Sequence, residues 1–153
     1  MISAIRKLLQ KNAVVDKTMS GMDKEELIRM AAAVLFVEVM HADHQIDKRE
    51  RQVIKRALLE SFSLSKQDAE ELLQQAEIRV KDVTSLHEFT SLLHGRLTNE
   101  EKVMLIEQIW RIILADDYVD KYEEHLVRRI AELLYVSHRD YIRAKLSAQG
   151  ELE

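Results

Sequence analysis

Ala42-Asp43-His44-Gln45-Ile46-Asp47-Lys48-Arg49-Glu50 returns 73 residues later as Ala115-Asp116-Asp117-Tyr118-Val119-Asp120-Lys121-Tyr122-Glu123. Of the 16 paired positions from 42/115 to 57/130, six are identical. Apolar positions pair as well: Met40 with Ile113, Ile46 with Val119, Val53 with Leu126, Ile54 with Val127. An internal repeat of this length is one supersecondary unit used twice. In both copies an apolar helical run enters the acidic stretch and another leaves it, so the unit is helix, acidic corner, helix.

Working outward, helix starts are marked by a Ser, Thr or Asp with an acid three residues later. That spacing lets the two side chains satisfy the orphan N–H groups of a first turn. Such boxes stand at Asp23/Glu26, Asp47/Glu50, Ser65/Asp68, Ser85/Glu88, Thr98/Glu101, Asp120/Glu123 and Ser137/Asp140. With the N-terminal segment they predict about eight helices, near 2–11, 24–42, 48–62, 66–80, 86–95, 99–115, 121–135 and 138–148. Apolar residues recur at three-to-four spacing in each. Leu27, Ile28, Ala31, Val34, Leu35 and Val39 mark one long helix, and Val103, Ile106, Ile109, Trp110 and Ile113 the other.

The expected fold is therefore all-α, one domain, with two helical repeats (about 24–80 and 99–148) related by a pseudo-two-fold axis and bridged by the helix at 86–95. Residues 1–22 read as an N-terminal helix and linker, 23–148 as the helical domain and 149–153 as a disordered tail.

Composition narrows the function. Proline is absent and glycine occurs three times, so little interrupts a helix. No cysteine is present, which removes disulfides, thiolate metal sites and a cysteine nucleophile. A net charge of −4 argues against a broad nucleic-acid face, and the expected location is cytoplasmic. Ile2, Ile5, Leu8 and Leu9 alternate with Arg6, Lys7 and Lys11 in a short amphipathic helix. It is too broken in hydropathy for a signal peptide or a membrane span. Docking on the protein's own core is the expected use, with peripheral membrane association as the alternative.

The acids at the corners have two readings. Asp47 with Glu50, and Asp120 with Glu123, are accounted for as caps, which also suit the positive end of a helix dipole. Asp43 and Asp116 are not, because each falls near a helix C-terminus, where negative charge is disfavoured. A turn N–H or a cation would compensate them. Carboxylates with turn carbonyls suit a hard divalent cation such as Ca²⁺, Mg²⁺ or Mn²⁺. The candidate metal ligands are thus Asp43, Asp47 and Glu50 at one corner and Asp116, Asp120 and Glu123 at the other. His41, His44 and Asp117 are candidate additional ligands, and histidine would favour a transition metal.

Nearby patterns fit less well. The spacing is not that of an EF-hand loop. Asp116-Asp117-Tyr118-Val119-Asp120 spells the diphosphate-binding DDxxD string but crosses a helix junction. Glu38 with His41 spells the di-iron Glu-x-x-His pair, yet the second copy has Arg111 and Leu114 there.

Helix-Ala-Asp-x-x-(Ile/Val)-Asp-x-x-Glu-helix, present twice in a cysteine-free helical chain of this size, resembles the TerB family of tellurite-resistance proteins. The resemblance runs from about Lys24 to Leu146. It implies a helical domain with pseudo-two-fold symmetry whose acids, here Asp43, Asp47, Glu50, Asp116, Asp120 and Glu123, hold metal. It also implies a role in bacterial tellurite and chemical-stress resistance, and no catalysis. Where relatives often carry Gly after the first Asp, this chain has His44 and Asp117.

No serine–histidine–acid arrangement, phosphate-cradling glycine loop or dinucleotide fingerprint is visible, so catalytic and cofactor-binding residues are none. An enzyme of metal-assisted hydrolysis would need both acidic turns to converge on one pocket. His87, His94, His125 and His138 lack a shared ligand spacing and read as surface residues, while Trp110 and Phe36 read as core. Arg128, Arg129, Arg139, Arg143 and Lys145 read as a solvated basic strip. The function expected is a non-enzymatic binding or scaffold module with protein partners and no nucleic acid. The alternative is a purely structural or membrane-associated adaptor whose acids are only caps.

Overall fold

Eight successive residues, Met30 to Val37, are buried, and Val39 and Met40 follow them. A helix that is apolar on every side has to be enclosed by others, and this one organises the molecule. The computed structural model describes residues 23–40, 46–81, 85–115 and 119–150. They form seven helices and no strand: α1 (Lys24–Met40), α2 (Lys48–Ser61), α3 (Lys66–Val80), α4 (His87–Arg96), α5 (Asn99–Leu114), α6 (Lys121–Leu133) and α7 (His138–Ala148).

The chain is an all-α single domain. Helix α1 touches α2, α3, α4, α5 and α6, while α7 packs on α5. The amphipathic reading gave α1 one buried stripe; the structure buries its whole circumference over two turns. Ala31, Ala32 and Ala33 make this feasible, since their small side chains let neighbours approach from several directions. Helix α4 contacts both α1 and α6.

The outer helices bury one face each. In α3 the buried residues are Ala69, Leu73, Ala76 and Val80, at spacings of four, three and four. In α6 they are Leu126, Val127, Ile130 and Ala131. Trp110 and Phe36 lie in the core, as their apolar faces predicted, and His87, His94, His125 and His138 are exposed.

Six of the seven predicted caps form. Asp47 and Thr98 close full boxes with Glu50 and Glu101. Asp23, Ser65 and Ser137 accept the N–H three residues on, at 2.8, 3.1 and 3.1 Å. Asp120 closes its box with Glu123 but makes its short bond to Tyr122. Ser85 does not cap. Leu86 occupies the N-cap position in helical conformation without a side-chain bond, and Ser85 Oγ accepts the His87 N–H at 3.2 Å instead. The Ser-x-x-Glu spacing was one residue out of step with the helix it preceded.

Helix α6 ends in a paired-bond turn: the Tyr135 N–H donates to the Glu132 carbonyl and the Val136 N–H to that of Ala131, each at 3.0 Å. This turn demands left-handed backbone, and Tyr135 adopts φ 60° where glycine would be unstrained. The predicted helix at 2–11 lies outside the described residues. No helix among the described residues is long and apolar enough to cross a membrane.

Candidate functional site

Each acidic corner begins with an apolar anchor. Ile46 and Val119, paired in the repeat, both pack against the core, and the next residue of each is the aspartate that opens a helix. Asp47 takes extended backbone (φ −82°, ψ 176°), which aims its carboxylate at the open first turn of α2. Its Oδ1 accepts the Glu50 N–H at 2.8 Å, and Glu50 Oε1 accepts the Asp47 N–H at 3.1 Å.

The second corner is built alike with different lengths. Asp120 (φ −71°, ψ 138°) accepts the Tyr122 N–H at 2.9 Å, and Glu123 Oε1 accepts the Asp120 N–H at 3.4 Å. Asp47 is exposed and Glu50 half-buried, whereas Asp120 and Glu123 are both half-buried. All four carboxylates therefore spend one oxygen on backbone amides at the positive end of a helix.

Asp43 and Asp116 lie outside the described residues, as do His41, His44 and Asp117. The structure thus places four of the six candidate ligands, two at each corner. Among the described residues no three His, Asp or Glu side chains gather to hold a metal ion. Each corner presents two described carboxylates, oxygen donors of the kind a hard cation takes.

A cleft of about 250 Å³ runs between α2 and α5 and reaches Ala115, the last described residue before the second corner. Across it Arg111 of α5 reaches Glu60 of α2 at 3.5 Å, while Arg56 pairs with Glu60 along α2 at 3.2 Å and Glu107 with Arg111 along α5 at 3.6 Å. The four-residue spacings of Arg56/Glu60 and Glu107/Arg111 were legible in the sequence. The bond between Glu60 and Arg111, 51 residues apart, was not.

Another cluster escaped the sequence reading. Lys102, only 8% exposed, lies with Nζ 2.6 Å from His94 Nδ1, so the ring nitrogen is the acceptor. The Tyr135 ring sits 4.6 Å from the His94 ring, and Tyr135 is 75% exposed. Three helix ends meet there, and only the strained φ of Tyr135 marks the place locally.

The basic strip is solvent-exposed at Arg128, Arg129, Arg139 and Arg143, as read, while Lys145 is half-buried. Lys145 Nζ stands 4.9 Å over Trp110 and Arg128 lies 6.0 Å from the Tyr141 ring. Arg129 pairs with Glu132, and Arg143 with Asp140. Cation–aromatic attraction explains the first two. Burial pushes the Tyr141 phenol up, and the Arg128 guanidinium beside it offsets part of the rise.

No curated protein and no solved structure matches the chain. A family model described as tellurite resistance protein TerB matches residues 29–146, a span that includes both acidic corners and all or part of every helix described above. The chain therefore belongs to the TerB family.

Proposed function

We propose that this protein is a non-enzymatic, cytoplasmic TerB-like module that serves as a binding or scaffold protein in a bacterial stress response of the tellurite-resistance type. It works through protein partners and not through nucleic acid. At its two corners Asp43, Asp47 and Glu50, and Asp116, Asp120 and Glu123, hold a divalent cation of the Ca²⁺, Mg²⁺ or Mn²⁺ class. Family membership supports the module, and one observation carries the site: the same anchor, aspartate and box recur at both corners in the same register.

We read α1–α3 and α5–α7 as the two repeats, related by a pseudo-two-fold axis. In support, α1 packs on α3 as α5 packs on α7, and α2 meets α5 as α6 meets α1. A cation at each corner would lock the long helix to the next one, so ion binding would read out as stiffness of the scaffold.

Calorimetric titration with Ca²⁺, Mn²⁺ and Zn²⁺ tests this. Binding should release or absorb heat and raise Tm, by an amount equivalent to about 2.7 kcal/mol at a hundredfold excess over Kd. Asp43→Asn combined with Asp116→Asn should abolish both signals. No heat and no Tm shift at millimolar ion would end the metal clause.

A second reading is favoured by the amide bonds already made by Asp47 and Asp120: a structural adaptor whose acids are caps. Under it, Asp47→Ala or Asp120→Ala lowers stability by about 0.5–2 kcal/mol whether or not an ion is present.

A further inference from the structure

Among the described residues Tyr135 is the only one other than glycine with positive φ, and it is 75% exposed. Glycine would make the same turn without strain, and a ring this exposed adds little to the core. Strain kept where it presents a side chain to solvent points to a use for that side chain.

The ring does not stand alone. It lies 4.6 Å from the exposed His94 ring, and the buried Lys102 places Nζ 2.6 Å from His94 Nδ1. An ammonium offers donors only, so Nδ1 accepts and the imidazole proton belongs on Nε2. His94 is thus an exposed N–H donor, polarised by the ammonium bonded to the same ring. The Tyr135 hydroxyl is a second donor on the ring pair.

Charge at this junction is one-sided. Lys102 is only 8% exposed, and no carboxylate among the described residues forms an ion pair with it. Arg96, in the last turn of α4, donates to the Leu92 carbonyl at 3.4 Å and likewise has no acid partner among them. The acids nearest along the chain are engaged, Glu101 in the Thr98 box and Glu132 with Arg129. A buried ammonium balanced only by a neutral ring leaves positive potential that an anionic group would offset.

We propose that His94 and Tyr135, backed by Lys102, dock a carboxylate side chain of an acidic protein partner. The carboxylate accepts from His94 Nε2, with the Tyr135 hydroxyl as the second donor, and Lys102 supplies the countercharge through the imidazole. The two rings add apolar contact area to the donors, the combination that anchors protein interfaces. This inference rests on the reading of the protein as a module with protein partners, and not on metal at the corners.

The test is an NMR titration of the full-length protein with a terminally blocked aspartate/glutamate tetrapeptide in mildly alkaline buffer. Long-range ¹H–¹⁵N spectra should show the His94 proton on Nε2, and the peptide should shift the His94 and Tyr135 ring signals saturably. Lys102→Met keeps a long apolar side chain in the buried position and should weaken binding about tenfold. Lys66→Met removes the same charge from an exposed position on α3, which packs on α1 and α2, and should change affinity by less than about twofold. Tyr135→Gly should weaken binding about fivefold while the protein gains stability, a split that a purely structural ring does not give.

A proton found on Nδ1, or ring signals unmoved at millimolar peptide, would overturn the proposal. Equal losses with Lys102→Met and Lys66→Met would also overturn it, since they mean diffuse attraction. Acetate that binds as tightly as the peptide would do the same, because the site then takes a free small anion. Each of these failures leaves the ion titration at the corners, and with it the module reading, unaffected.

Discussion

The two halves of this chain share a corner and differ in how the third helix is held. In the first half α3 is tied to α2 by charge: Arg51 pairs with Glu70 at 2.7 Å and with Glu77, and Lys55 pairs with Glu70 as well. In the second half α7 lies on α5 through rings and cations. Trp110 and Tyr141 stand 6.1 Å apart, Lys145 covers Trp110, and Arg128 of α6 reaches Tyr141. The 73-residue offset matches Lys55 with Arg128 and Glu70 with Arg143. Both halves carry a cation on the second helix, but the acid that meets it in the first half is a base in the second, where an aromatic face takes over.

The consequence is a difference in kind of stability. The charged side chains of the α2–α3 network are about a quarter to a third exposed, so solvent screens them and each pair contributes little. The Trp110–Tyr141 contact is buried, and large aromatic surfaces withdrawn from water contribute far more. The second half should be the sturdier, and insensitive to salt and acid where the first is not.

The largest effect expected is from Trp110→Ala, which opens a cavity under both α7 and Lys145. A loss of about 3–5 kcal/mol is expected in urea unfolding. A loss under about 1 kcal/mol would mean the second half does not lean on this ring.

A smaller change of opposite sign should follow Tyr135→Gly. Glycine relieves the left-handed strain at φ 60°, and stability should rise by about 0.5–1 kcal/mol even as the His94 contact is lost. If Tm falls instead, the exposed ring is holding the α4–α6 junction together.

The smallest effect belongs to Glu70→Gln, at most about 1 kcal/mol at neutral pH. The hydrogen bond from Lys55, with Arg51 adding to it, holds the Glu70 carboxyl below its ordinary 4.5 against the opposing pull of burial. A lowered carboxyl pKa contributes stability that is complete above the unfolded value and is lost as pH falls through the folded one. Urea midpoints of the parent and the variant should therefore differ at neutral pH and converge in acid. A gap that persists at low pH would show that packing, not charge, joins α2 to α3. Tyr141 should be silent in that range, since its raised phenol titrates only in alkali.

Much of this molecule could be read before it was seen. Helices α3 and α7 match their predicted limits, 66–80 and 138–148, because Ser65 and Ser137 punctuate their starts and apolar spacing carries them through. Caps and periodicity are local, encoded within four residues, so they survive any packing. The failures were also local in origin. Ser85 looked like a cap because spacing alone cannot tell which residue takes the last extended conformation. The rings that Lys145 and Arg128 meet were missed because nothing within their helices announces an aromatic face across the seam.

The candidate site was legible as a pattern of acids, and the boxes of Asp47 with Glu50 and Asp120 with Glu123 form as read. That Glu60 lies between Arg56 and Arg111, or that Lys102 finds His94, needed the assembled fold.

By itself the sequence determined helix content, most helix starts, the duplicated corner and the family, all properties of residues close together along the chain. Only the tertiary structure decided that α1 is buried on every side, that one half is joined by charge and the other by rings, and that Tyr135 lies against His94. Those depend on distances between residues far apart in the chain. There, burial and pairing are settled by how helices pack, not by what each helix is.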